Sequence, residues 1–442
     1  MNTLYAVSTK RNRVSRIGWN LLALALLAAC GGATPMPTPT PTPPPTSDAV
    51  SARYGFPAIA LADAVNAAMP GLIANDFQLK LGSQGSELWH DPNAPANEFW
   101  MMTDRGPIGQ TGDTLFFMLP DFTPLLLRVR VTGQTTEILE TLPLTGQSGR
   151  GITGLPIIEG TLGYNPSGVD PEGMAHLSTG GFWVCEEYAP SLLQVDATGR
   201  VQKRYLPKNF ALDNPDYPQA SVLPAILRLR ASNRGCEALA LSPDETTLYF
   251  VMERPLSNPD GDTGWVSRHA RILAFDLATE QVVAEYVYRL DDPATFDPEA
   301  TDEPDEIKLS AAVALNATTL LIEEHTWNAA KVYAVDLTQA TNILNTQWDD
   351  AATQPSLEAT SDLAASGVMV LPKTLILNVG VLEGMTKKIE GMALIDSHTL
   401  AFSNDNDFAF EELDADGNVI DNGTATQIVV VRLAQPLPRV SQ

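Results

Sequence analysis

Apolar residues along this chain come in short runs, not in helical stripes. Phe99-Trp-Met-Met, Phe182-Trp-Val-Cys, Leu248-Tyr-Phe-Val-Met, Leu320-Leu-Ile and Leu400-Ala-Phe are rich in aromatic and aliphatic residues and are followed closely by acids or turn residues. Runs of this length and composition predict strands. Each has a shorter run before it and another after it. Glu172-Gly-Met-Ala precedes Phe182, and Ser191-Leu-Leu-Gln-Val-Asp196 follows; Glu237-Ala-Leu-Ala and Arg271-Ile-Leu-Ala-Phe-Asp276 flank Leu248 in the same way. The order recurs with Ala311-Ala-Val-Ala and Lys331-Val-Tyr-Ala-Val-Asp336, with Glu390-Gly-Met-Ala and Gln427-Ile-Val-Val-Val-Arg432, and with Ser86-Glu-Leu-Trp and Leu125-Leu-Leu-Arg-Val-Arg130. A fourth run often follows, as at 201–206 and 282–288.

Repeated four-stranded units predict an all-β propeller. Five blades are visible in the repeat, and the stretches 54–81 and 338–389 leave room for a sixth. The run at 77–81 is the expected strand closing the ring. A two-sheet sandwich is the main alternative, and it leaves the repeat unexplained.

The repeat aligns residues into columns. Ser86, Glu172, Glu237, Ala311 and Glu390 open the first strand of each unit, while Asp104, Glu187, Glu253, Glu324 and Asp405 end the second. Paired antiparallel strands bring these positions to the same end of every blade. The first strand of a propeller blade lines the central channel, so the acids collect around one mouth. Crowded carboxylates repel and resist desolvation, and a bound cation relieves both costs. All-oxygen ligands point to Ca²⁺, with Mg²⁺ second. Glu172, Glu237 and Glu390 are the expected metal ligands. Asp196, Asp276 and Asp336 precede turns and are expected to cap them.

Outside the repeat, the N-terminus carries Lys10, Arg11, Arg13 and Arg16, then an apolar stretch too short to span a bilayer. This pattern defines a signal peptide over residues 1–29. Leu27-Ala-Ala-Cys30 resembles the lipobox of bacterial lipoproteins, whose cysteine carries the lipid. Residues 30–50, rich in Thr and Pro, read as a stalk, and 51–442 as the propeller domain. Gly31, in place of an acid after the cysteine, resembles lipoproteins sorted to the outer membrane, on its periplasmic or surface face. The formal charge of the chain is −25, which opposes nucleic acid and anionic lipid as partners. The expected partner is a small or phosphorylated molecule, with membrane contact through the lipid alone and a monomeric chain.

Asp170-Pro-Glu-Gly-Met-Ala, Phe182-Trp-Val-Cys-Glu-Glu-Tyr-Ala-Pro, Glu237-Ala-Leu-Ala-Leu-Ser-Pro-Asp, Ile389-Glu-Gly-Met-Ala and Ser403-Asn-Asp-Asn-Asp-Phe together resemble the phytase-like family, over roughly residues 54–434. The resemblance implies a secreted propeller with recurring acids that hydrolyses phosphoester bonds. Ala311 departs from the acidic pattern. Cys185 and Cys236 stand where Ser and a large apolar residue are more typical, which suggests a disulfide; each lies close to a column acid at the same end of adjacent blades.

No Gly-x-Ser-x-Gly, phosphate-binding loop or His-Glu-x-x-His motif is present, which disfavours nucleophile-elbow, nucleotide-loop and zincin chemistry. His176, His325 and His398 read as solvent-facing. Metal-assisted hydrolysis remains, with Glu187, Asp405, Asp104 and Glu253 as candidate catalytic carboxylates and Arg105 and Arg254 as phosphate clamps. Two other readings stay open: a non-catalytic binding propeller with a structural Ca²⁺, and a lactonase or other carboxylic-ester hydrolase.

Overall fold

Most strands of the computed structural model, described for residues 47–74, 77–296 and 303–438, fall into five antiparallel four-stranded groups, the second extended by the parallel strand Gln219–Leu223. Their innermost strands are Glu87–Trp89, Pro171–His176, Cys236–Leu241, Lys308–Ala314 and Ile389–Asp396. These touch one another in cyclic order, and the fifth returns to the first. The architecture is a β-propeller, and each group is a blade. Among the described residues no helix is long and apolar enough to cross a membrane. The expected signal peptide, Cys30 and residues 31–46 lie outside the described residues.

The ring is closed by Ala49–Gly55, which pairs antiparallel with Gln427–Arg432 as the outer strand of the fifth blade. The run at 77–81, expected in that role, makes an isolated bridge from Lys80 to Ala60, and Gln78 has a positive φ that interrupts an extended strand. Closure also begins inside the expected stalk, since Ala49 and Val50 are already paired with Arg432 and Val431. The stretches 54–81 and 338–389 form no further blade. The first supplies the short helix Leu61–Ala68, and the second supplies Lys373–Asn378, the outer strand of the fourth blade.

The rest of that second stretch packs Ile343, Trp348, Leu357, Leu363 and Val368 around Val287 of the third blade. Arg271, fully buried, pins it by donating to Glu285 at 2.6 Å, to Glu358 at 3.0 Å and to the Trp348 carbonyl at 3.1 Å.

Alternation along each strand turns apolar side chains towards the neighbouring blades. Trp183 and Tyr205 of the second blade thus meet Phe275 of the third, with ring centroids 5.6 and 5.3 Å apart. Asp196, Asp276 and Asp336 cap their turns by accepting from the backbone N–H groups of Thr198, Thr279 and Thr338.

Near the axis the inner strands come together backbone to backbone, which explains the glycine of the recurring Glu-Gly-Met-Ala. A Cβ on Gly173 would sit 2.6 Å from the Leu239 nitrogen, and one on Gly391 would sit 2.7 Å from the Leu88 nitrogen. Gly391→Ala should therefore lower stability by about 1–3 kcal/mol. Urea unfolding should show a lower midpoint at unchanged slope; an unchanged midpoint would mean that the inner strands have slack.

Candidate active site at the channel mouth

Every inner strand is irregular at its column residue. The pairing register slips between Pro171 and Met174, between Cys236 and Ala238, between Leu309 and Ala311, and between Ile389 and Gly391. The extra residue in each slip includes Glu172, Glu237, Ser310 and Glu390 respectively. In the first blade both Gly85 and Glu87 face Met102, leaving Ser86 between them. Bulges re-aim a side chain that regular pleating would direct elsewhere.

This register corrects the fourth blade by one residue. Ser310, not Ala311, holds the first-column position. In the second column, His325 takes the place expected for Glu324. Leu309 pairs with Glu324 as Cys236 pairs with Met252, so the residue after each, His325 or Glu253, reaches the mouth. Glu324 instead accepts from the Tyr288 hydroxyl at 2.5 Å and the Asp291 N–H at 2.9 Å, and pairs with Lys373. His325 is buried, contrary to the solvent-facing expectation, and neither ring nitrogen has a hydrogen-bond partner. Burial, with Lys308 and Lys388 nearby, pushes its pKa well down and keeps the ring neutral. His176 and His398 are half-buried.

The mouth gathers Asp104, Asp170, Glu172, Glu187, Glu237, Glu253, Glu390 and Asp405, seven of them buried and Asp104 nearly so. Arg105 reaches Asp170 at 2.6 Å. Lys308 reaches Glu253 at 3.1 Å, and Arg234 lies 3.4 Å from the same carboxylate without hydrogen-bond alignment. Lys388 pairs with Asp405, with Asp407 at 2.6 Å and with Glu390 at 3.7 Å. The ring is therefore polarised. Acids crowd the second and third blades, while Lys308, His325 and Lys388 occupy the side of the fourth and fifth.

Of the expected metal ligands, Glu172 and Glu237 each join a compact carboxylate group, but not the same one. Asp170, Glu172 and Glu187 form the first, and Glu187, Glu237 and Glu253 the second; in each, the candidate ligand oxygens lie within 4.8 Å of one another. Glu390 belongs to neither and is held by Lys388. Glu187 and Glu253, expected to be catalytic, stand instead among the possible ligands.

Arg105 is at the mouth. Arg254 is not available there: its guanidinium donates to the carbonyls of Pro304 at 2.8 Å, Ile307 at 3.1 Å and Trp265 at 3.3 Å. Cys185 and Cys236 form a disulfide with Cα atoms 5.9 Å apart. It joins the second and third blades directly beneath Glu187 and Glu237.

Asp170, Arg234, Lys308 and Lys388 were not singled out by sequence reasoning. A weak signal existed for three of them. Asp170, Lys308 and Lys388 each lie two residues before a first-column position, on the same side of the strand. Arg234 sits in a loop and has no such signal.

Burial, with neighbouring carboxylates, pushes the acids of Glu172, Glu187 and Glu237 well up. Burial raises Asp104 to about 8, against the pull of Arg105 and with the push of Asp170 and Asp405. Burial likewise raises Glu390 to about 8 despite Lys388. Asp405 goes the other way. Burial pushes it up, but Lys388 and a 2.6 Å hydrogen bond from the Ser83 hydroxyl hold it below the usual carboxylate range. A cavity of about 280 Å³ opens beside Asp405 and Lys388, walled by Arg53, Trp327, Lys387 and Thr424.

An all-β propeller whose channel mouth is a polarised ring of buried acids is the class that fold and site define. The chain belongs to the phytase-like family, described as esterase-like activity of phytase, whose model matches residues 86–408. A curated relative, an uncharacterized secreted protein of Arthroderma benhamiae, is 27% identical over 220 residues, covering 45% of this chain and 41% of that protein. The chain thus spans about two fifths of the relative's length. Among solved structures, a PQQ-bound aldose sugar dehydrogenase from Streptomyces coelicolor aligns at 9% identity and TM-score 0.36, over 88% of this chain and 100% of that one. The calcium-binding protein regucalcin from Agrobacterium tumefaciens aligns at 11% identity and TM-score 0.33, over 82% and 95%.

The raised carboxyls fix a pH response. A carboxyl whose pKa is higher folded than unfolded binds its proton more tightly in the folded chain, so stability falls as pH rises between the two values. For Asp104 and Glu390 the window runs from about 4 up to about 8. In chelator, the melting temperature should drop steadily across this window, and added Ca²⁺ should reduce the drop most at its upper end. A flat profile in chelator would show that burial does not raise these carboxyls in the folded chain.

Proposed function

We propose that this propeller hydrolyses phosphoester bonds at the acid-lined mouth, assisted by a divalent cation, with Ca²⁺ favoured over Mg²⁺. One observation carries the reading. Three buried carboxylates, Glu187, Glu237 and Glu253, each keep an oxygen without a hydrogen-bond partner, and their candidate ligand oxygens span no more than 4.8 Å. Oxygens at roughly 2.3–2.6 Å from a shared Ca²⁺ fit within such a span. A cation there would supply positive charge against phosphate oxygens and would acidify bound water.

The remaining roles fall to side chains already placed. Arg105, partly open to solvent, can bind and orient an anionic phosphate group, as can Lys308 and Lys388 on the basic side. Asp104, with its pKa raised to about 8, holds a proton near neutrality and is suited to donate it to a leaving alcohol oxygen. Asp405, kept ionised by Lys388, is a weak base and can instead accept a hydrogen bond from water and orient it. Neutral His325 adds no further positive charge to the basic side. The similarity to a protein described as secreted supports export of this chain, with the lipid on Cys30 as its tether.

Purified protein should hydrolyse at least one of a phosphomonoester, a phosphodiester and phytate in Ca²⁺, and lose that activity in chelator. Asp104→Asn should lower kcat by about 10²–10⁴-fold, and Arg105→Gln should act mainly on KM. No turnover of any of the three substrates would sink the phosphoester reading, and turnover of lactones alone would replace it.

A further inference from the structure

The acids of the second and third blades are arranged as a row with cations at its ends. Arg105 pairs with Asp170 at one end, while Lys308 and Arg234 flank Glu253 at the other. None of the ion pairs among the described residues reaches the three acids between them, Glu172, Glu187 and Glu237. Glu187 is the middle member and belongs to both compact carboxylate groups. It is 2% exposed, and its Oε2 has no hydrogen-bond partner; the same holds for Oε2 of Glu237, which is 7% exposed.

We infer that Glu187 bridges two divalent cations, one held with Asp170 and Glu172 and the other with Glu237 and Glu253. The inference rests on the cation-assisted reading above and extends it from one ion to two. The placement of the acids favours two. Glu172, Glu187 and Glu237 fall into two compact groups that share only Glu187. One ion seated in either group leaves Glu172 or Glu237 outside it, whereas two ions reach all three.

The position of Glu187 is also rigid, as a bridging ligand requires. The Cys185–Cys236 disulfide lies two residues from Glu187 and next to Glu237. The backbone of Gly235 packs so closely on the Glu187 carbonyl that any Cβ there would collide with it. Paired ions joined by a carboxylate suit in-line displacement at phosphorus, because one can meet the attacking oxygen and the other the leaving oxygen.

Calorimetric titration of the purified full chain with Ca²⁺ tests the inference without an activity assay. The expected result is two equivalents per chain. Glu172→Gln and Glu253→Gln should each leave one equivalent, and Glu187→Gln should weaken both by at least about tenfold, or 1.4 kcal/mol each. Thermal melting of the same variants checks folding. Glu172→Gln and Glu187→Gln should melt at or above the wild-type temperature in chelator, because each relieves crowding among acids with no ion pair. Glu253→Gln also loses the Lys308 pair and should melt lower while remaining cooperative, and Glu187→Gln should lose the rise that Ca²⁺ gives the wild type. One equivalent in the wild type, unaffected by Glu172→Gln, would overturn the two-ion inference and leave the single-ion reading standing. No Ca²⁺ uptake at all would overturn both.

Discussion

Repulsion among buried carboxylates is the constraint around which the rest of this molecule is arranged. A single acid at the end of a strand is cheap while water reaches it. Several, brought together where water is largely excluded, must hold protons, find cationic side chains or bind metal ions. The mouth uses the first two in different sectors. Lys388 keeps Asp405 ionised, whereas Asp104 retains its proton to about pH 8 a short distance away. Glu172, Glu187 and Glu237 have no cationic side chain of their own, and a metal ion would complete the balance there. The same crowding that costs the fold stability is what a bound cation would relieve.

The propeller makes this crowding possible by distributing the cost. Each blade is an ordinary antiparallel sheet stabilised by apolar packing against its neighbours. Each contributes a few polar residues at a bulge, and ring closure then brings them together. The closest approach of the inner strands falls at Gly173 and Gly391, which follow Glu172 and Glu390 directly. Acid and glycine therefore recur as one unit. The bulge aims the side chain at the axis, and the glycine lets the neighbouring backbone approach behind it.

Much of this was legible in the sequence, because hydrophobic runs report strands and repetition reports blades. The two acidic columns follow from the repeat with no further assumption. The failures have definite physical sources. The fourth blade was misaligned by one residue because a bulge shifts the register without changing the apolar pattern, so Ser310 and His325 were hidden behind Ala311 and Glu324. The closing strand was missed because Ala49–Gly55 follows directly on the Thr-Pro segment and shows its role only through pairing with Gln427–Arg432, far along the chain. Arg254 was misassigned because its position beside Glu253 says nothing about which way the guanidinium turns. Lys308 and Arg234 converge on Glu253 from different blades or loops, and partnerships of that kind leave no periodic trace.

The disulfide and the acidic ring point to the same surroundings by independent routes. A Cys185–Cys236 bond persists in an oxidising compartment and is kept reduced in cytosol. A row of unpaired carboxylates is in balance where a hard divalent cation is plentiful, and out of balance where it is scarce. Both conditions are met outside the cytoplasm, which is where a cleavable leader and a lipid on Cys30 would deliver the chain. The bond is placed where the two requirements meet. It ties together the two strands that carry Glu187 and Glu237, the pair with the least charge compensation from the protein itself. Where Glu187 and Glu237 are ionised they push these strands apart, and a covalent tie resists that push without adding a cationic side chain.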